Sequence, residues 1–97
     1  MLEDIKKYLN ISWEDDLIDE KLKELINQSK TSLKALGGVE VDFDKDTIAK
    51  ELLFNRVRYA YNNSLEYFEE NFHSEILRWQ LMKGVGEVEQ ETATKQN

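Results

Sequence analysis

Ile18, Leu22, Leu25, Ser29, Leu33 and Leu36 recur at steps of four, three, four, four and three residues. Only an α-helix gathers positions with that spacing onto one side. Leu17 and Ile26 widen the stripe, and the helix is expected from about Trp13 to Leu36. The chain contains no proline, so nothing in its composition interrupts so long a helix. Ser12 is the expected N-cap, with Asp15 three residues on as the capping-box acid. Asp19 and Lys23 form an expected i,i+4 pair on the wet face. Gly37-Gly38 ends the helix by allowing the left-handed conformation of a C-cap. A helix with one apolar side must have that side covered, so the remaining segments are read as its cover.

Leu2, Ile5 and Leu9 mark a short helix before the long one, broken at Asn10-Ile11-Ser12. After Gly38, Val39, Val41 and Phe43 alternate with acids. A lone strand has no partner, so residues 37–46 are read as an extended linker that tucks Val41 and Phe43 onto the bundle. Asp44 or Asp46 can cap the next helix, whose inward residues include Ile48, Leu52, Leu53, Val57 and Ala60. Asn62-Asn63-Ser64 is the expected break. Tyr67, Phe68, Phe72, Ile76, Trp79 and Leu81 then continue at helical spacing, with Asn71 as a second break point. The expected fold is all-α: a small bundle of four helices, or five if both breaks are used. Residues 1–83 form its one domain. Residues 84–97 follow a Gly-x-Gly stop, lack apolar periodicity, and are read as a flexible polar tail.

At 97 residues the chain can bury about two-thirds of its unfolded surface, enough for one small core that a neighbour would reinforce. Its net charge of −7 lacks the basic footprint of a free-standing nucleic-acid binder. Without cysteine it has no disulfide, thiolate zinc site or cysteine nucleophile. No apolar run is long enough for a membrane helix or a secretory signal, so a cytosolic protein is the default.

Catalytic chemistry finds little footing. His73 is the only histidine, and Glu70-Asn71-Phe72-His73 gives a Glu-x-x-His spacing once, where a di-iron bundle uses it twice. An exposed or capping histidine is the simpler reading. The acid pairs Asp15-Asp16, Asp19-Glu20 and Glu69-Glu70 fall on wet faces. The glycines follow helices rather than open them, opposite to a phosphate cradle. No catalytic, cofactor or metal residue is therefore assigned.

The aromatic residues carry more information. Seven of the ten lie between Phe54 and Trp79, interleaved with Arg56, Arg58 and Arg78. One inward stripe cannot absorb them all. Covering a thin core with amphipathic rings is one reading. We favour the other, a protein–protein surface containing Phe54, Arg58, Tyr59, Tyr67, Arg78 and Trp79. A single-stranded nucleic-acid track fits less well, because residues 47–83 hold five bases and five acids.

The order of features resembles a phage family. The opening Met-Leu-Glu-Asp-Ile-Lys-Lys-Tyr-Leu is followed by Asp15-Asp16-Leu17-Ile18, the long helix, and a glycine linker. Then come residues 52–63, with Tyr59-Ala60-Tyr61-Asn62-Asn63, and residues 65–72. This is similar to the head–tail connector, adaptor or DNA-packaging proteins of tailed bacteriophages and prophages, over about residues 1–83. The resemblance implies a structural, non-enzymatic virion protein. It would form a ring, dodecameric in the virion, beneath the portal, extend the DNA channel, and offer a platform to stopper or tail-completion proteins. DNA would pass without specific binding, and assembly would take place in the host cytoplasm. Two other classes stay open: a small regulatory helical module with a single protein partner, and a metal enzyme built around His73.

Overall fold

The computed structural model describes residues 1–38 and 40–83. Val39 and the expected tail, 84–97, lie outside the described residues. Five α-helices follow in order: α1 (Leu2–Tyr8), α2 (Asp16–Gly37), α3 (Thr47–Tyr61), α4 (Phe68–Asn71) and α5, described over residues 73–83. A 3-10 turn, Leu65–Tyr67, joins α3 to α4. The fold is an all-α small bundle.

Left-handed residues end three of the helices. Gly38, at φ 69°, caps α2 and donates its N–H to the Lys34 carbonyl. Asn10 (φ 61°) and Asn63 (φ 58°) do the same work for α1 and α3. After Asn10 the Ile11 amide reaches back to the Lys6 carbonyl at 2.8 Å. After Asn63 the Ser64 amide reaches the Tyr59 carbonyl, also at 2.8 Å. Both are the six-to-one bond of a Schellman motif, and asparagine is the non-glycine residue that best tolerates it. Both sequence breaks therefore fall where expected. The further break expected at Asn71 lies instead at Phe72. Phe72 departs from helical geometry (φ −109°, ψ 20°), although its N–H still bonds to the Phe68 carbonyl.

The helix starts differ more from expectation. Asp15, not Ser12, caps α2: its carboxylate accepts from the amides of Leu17 and Ile18. The competition went to Asp15 because a carboxylate at the N-terminus also meets the positive end of the helix dipole. Asp46 rather than Asp44 caps α3, accepting from the Ala49 amide at 3.0 Å. Asp44 instead belongs to a turn organised by Asp42, whose carboxylate accepts from the Asp44 amide.

The core runs along α2 and α3. Leu22, Ile26, Ser29 and Leu33 of α2 are buried against Ala49, Leu52, Leu53 and Val57 of α3. Ile5 and Ile11 seal one side, and Val41 and Phe43 tuck in from the linker. Ser29 is buried within the apolar stripe because Arg56 donates to its hydroxyl at 2.9 Å. Leu17, placed in the stripe by periodicity, is 82% exposed. Its neighbour Ile18, one position round the same first turn of α2, packs against the core instead.

Asp19 turns inward, away from Lys23. Its Oδ1 lies 3.0 Å from the ammonium of Lys6, which is itself buried. That oxygen has no other polar partner, so the ion pair is what compensates its burial. The hydrogen bond to Asp19 raises the Lys6 pKa above its ordinary value, against the opposing effect of desolvation. Lys23 reaches Glu20 instead.

α5 is fastened at the far corner of the bundle. The Trp79 ring covers Gly37, where a Cβ would stand 2.7 Å from the Trp79 Cη2 atom. Its indole N–H donates to Asp46 Oδ2 at 3.2 Å, and Lys83 pairs with the same oxygen at 2.6 Å. Gln80 donates to the Leu36 carbonyl at 2.8 Å. Burial pushes the Asp46 carboxyl up, but Lys83, the Ala49 amide and Trp79 together outweigh it and hold the pKa below 3.8. Gly37 is thus required for space and Gly38 for its backbone angle. Leu81, expected inward, is 60% exposed. The buried side of α5 is set by Ile76 and Trp79, and Leu81 falls outside that arc.

Among the described residues no helix is long and apolar enough to cross a membrane.

Candidate protein–protein interface

α3 has a second long side that α2 does not cover. Its ridge carries Glu51, Asn55, Arg58 and Asn62, four positions separated by one helical turn each. α1 flanks one side of the ridge and α4–α5 the other. The two flanks leave hollows along it.

Toward α5, a cavity of about 200 Å³ is lined by Ile48, Leu52, Asn55, Phe72, Glu75 and Arg78. Toward α1, a more open hollow lies among Tyr8, Thr47, Lys50, Phe54 and Asn55. Near the C-terminal end of α3, Arg58, Tyr59, Asn62, Tyr67 and Asn71 surround a third. Glu51 and Asn55, on the ridge, line both of the first two, one hollow on each side.

Asn55 holds the centre together. Its Oδ1 accepts from the Tyr8 hydroxyl and from Arg58 Nη2, each at 2.9 Å. Its Nδ2 donates to the Glu51 carbonyl. One amide therefore ties α1 to α3 and aims Arg58 along the surface. Tyr8 also meets Phe54 edge-on, with centroids 5.6 Å apart. Sequence reasoning found neither Tyr8 nor Asn55. Asparagine in a helix reads as a weak helix former, and only the placement of α1 gives it partners.

Five of the six residues singled out from sequence line these hollows. Phe54 flanks the α1 side, with Lys50 Nζ 5.7 Å from its ring centroid. Arg78 is exposed on the α5 side. Arg58, Tyr59 and Tyr67 surround the third hollow, and Tyr67 is 54% exposed. Tyr59 also has an internal role. Its ring meets Phe68 and Phe72 edge-on, at 5.9 and 5.6 Å, and its hydroxyl accepts from Asn71. It fastens α4 to α3 as well as lining the surface.

Trp79 is the correction. It is 1% exposed, and its ring is used up against Gly37 inside the subunit. A neighbour cannot reach it. The sequence could not separate the two roles, because both begin with a large ring at helical spacing.

Lys50, Arg58 and Arg78 have no ion pair among the described residues; the lysines that do are Lys6, Lys23, Lys34 and Lys83. The face therefore offers aromatic edges beside both cations and the carboxylates Glu51 and Glu75, with none of Lys50, Arg58 and Arg78 in an ion pair among the described residues. His73, Glu69 and Glu70 are exposed, and no group of three potential metal ligands gathers among the described residues. Aromatic rings and arginine cations held side by side are the residue types enriched at protein-recognition surfaces.

In comparisons with known proteins, the family model described as phage connector protein matches residues 1–88. No curated protein and no solved structure matches the chain.

Proposed function

The chain belongs to the phage connector family, a structural connector role, and from that premise we propose that it works as a ring subunit at the head–tail interface of the virion. The subunits assemble beneath the portal protein, lengthen the DNA channel, and present a platform to stopper or tail-completion proteins. The observation that carries this reading is the outer face of α3, where Phe54, Arg58 and Arg78 stand at hollows that the described residues leave open. A small subunit gains most from a neighbour where rings and cations are already held in place.

The charge balance supports the channel role. A wall drawn from a chain of net charge −7 repels DNA phosphates, so the duplex slides instead of sticking. A basic wall would gain affinity by counterion release and hold the duplex in place.

Native mass spectrometry and negative-stain imaging of the full chain, alone and with a cognate portal, test the proposal. A large closed species, formed alone at high concentration or on the portal, is the expected result. A stable dimer and nothing larger would favour the regulatory module with a single partner. A monomer indifferent to the portal would remove the ring.

A further inference from the structure

α5 is held to the bundle by other means than α2 and α3 are held to each other. α2 and α3 bury four side chains each. Among the described residues of α5 only Ile76 and Trp79 are buried, while Leu77, Leu81 and Met82 stay exposed. Its first turns leave space beside α3, the cavity lined by Glu75 and Arg78 from α5 and by Ile48 and Leu52 from α3. The polar ties all lie toward its far end. Trp79 Nε1 and Lys83 Nζ both reach Asp46 Oδ2, and Gln80 reaches the Leu36 carbonyl. At a helical rise of about 1.5 Å per residue, Lys83 is about 16 Å from Phe72. The near end is a pivot. Phe72 leaves helical geometry, yet its amide bonds to the Phe68 carbonyl and its carbonyl accepts from the Ile76 amide, both at 2.9 Å. The chain bends there without losing its bonds. The Phe72 ring is pinned, stacked on buried Phe68 at 5.2 Å and edge-on to Tyr59 at 5.6 Å. The pivot is therefore fixed to α3 and α4, and the segment after it is fastened elsewhere.

From these contacts we propose that α5 is a strap, hinged at Phe72 and shut by the Asp46 carboxylate, that opens as one piece while α2 and α3 remain paired. Few buried side chains and one shared carboxylate are the marks of a unit that opens below the stability of the whole. A pinned, non-helical residue between two helices is where a hinge absorbs the change. Asp46 suits the part because its two oxygens serve different elements. Oδ1 accepts from the Ala49 amide and caps α3, which keeps the carboxylate in place when α5 leaves. Opening draws Trp79 off Gly37 and takes Glu75 and Arg78 from the wall of the hollow beside α3. The corner at Asp46 thus governs the shape of the outer face through one two-state element. This is a property of the single subunit, with or without assembly.

Native-state hydrogen exchange, read residue by residue by NMR on the full chain, tests the strap. The amides of 76–83 should exchange faster than those at the centre of α3, and at one shared protection. Low denaturant should hardly change their rates, because opening the strap exposes little surface. Two substitutions address the latch. Asparagine caps a helix as well as aspartate does, so Asp46→Asn removes the charge that holds Lys83 and keeps the α3 cap. Lys83→Gln removes the other half and leaves Asp46 itself unaltered. Each should speed exchange in α5 about 10-fold, the usual consequence of losing a hydrogen bond to a charged group. Leu25→Ala supplies the contrast, at a half-buried position of α2 remote in sequence from the strap. It destabilises open and closed forms alike, so it should speed the amides of α3 and leave those of α5 unchanged. If Leu25→Ala speeds α3 and α5 together, the bundle opens only as a whole and the strap is overturned. Protection that falls steadily from Ile76 to Lys83 is fraying from the end and overturns it too. Unchanged α5 rates in Lys83→Gln remove Asp46 as the latch.

Discussion

The two long sides of α3 are made of different material. The side toward α2 is Ala49, Leu52, Leu53 and Val57, all buried, and its contacts are completed within the subunit. The opposite side is Glu51, Asn55, Arg58 and Asn62, edged by rings, with hydrogen bonds that hold shape and charged groups left out of ion pairs among the described residues. The first side stabilises by excluding water, which needs only apolar area. The second side holds its groups in place while leaving them available. One helix can therefore supply both a buried core and a structured, partly open surface, provided the two kinds of residue do not mix.

The widest separation between the sides should come from Leu53→Ala. Leu53 is 0% exposed, so its loss should cost about 2–5 kcal/mol in denaturant unfolding. A change under about 0.5 kcal/mol, the range of ordinary surface substitutions, would mean that the apolar side does not hold the fold. Leu25→Ala, at a half-buried position of α2, should cost less.

Next in size is Gly37→Ala. The new Cβ would meet the Trp79 ring at 2.7 Å, and overpacking of this kind costs about 1–3 kcal/mol. The better helix propensity of alanine would offset part of it. Near-ultraviolet circular dichroism should lose the ordered tryptophan signal as α5 shifts. An unaltered spectrum with higher stability would show that the ring has room to move.

A smaller loss should follow acidification. The Asp46 pKa is depressed in the folded state, so its contribution is complete above the unfolded value of about 3.8 and is lost as pH falls through the lower folded value. Asp46→Asn should flatten that part of the stability–pH curve. An unchanged slope below pH 4 would assign the acid sensitivity to other carboxylates.

The smallest effect should be that of Asn55→Ala on the outer side. Its partners are near water and can be resolvated, so the cost should be at most about 1 kcal/mol. Hydrogen exchange in α1 should nevertheless quicken, because the Tyr8 tie is cut. A loss as large as that of Leu53→Ala would erase the distinction between the two sides.

The buried side of this comparison was legible in the sequence and the outer side only in part. Periodicity alone placed Leu22, Leu33, Leu53 and Val57, because a stripe repeats a simple rule many times. The breaks at Asn10 and Asn63 were legible because few residues accept a left-handed backbone. Phe54, Arg58 and Tyr67 stood out as surplus to the stripe. Trp79 was misplaced and Asn55 and Tyr8 were missed, and the cause is the same in each case. Their roles depend on contacts 33 and 47 residues away along the chain, which no local pattern encodes. Lys6 belongs with them: only the packing of α1 on α2 buries it beside Asp19.

The corner where Trp79 meets Gly37 and Asp46 also orders events in time. α2 and α3 are neighbours along the chain, joined by residues 38–46, so their pairing closes a short loop. The Trp79 indole can bond to Asp46, and Gln80 to Leu36, only after contact across 33 and 44 residues, and the surface they cover belongs to a hairpin already formed. α5 is therefore expected to be the last helix to arrive during folding and the first to leave during unfolding. Its outward residues, Leu77, Leu81 and Met82, travel with it. Pulse-labelled hydrogen exchange should find the amides of α2 and α3 protected before those of α5, and simultaneous protection of all three would make the bundle a single cooperative step.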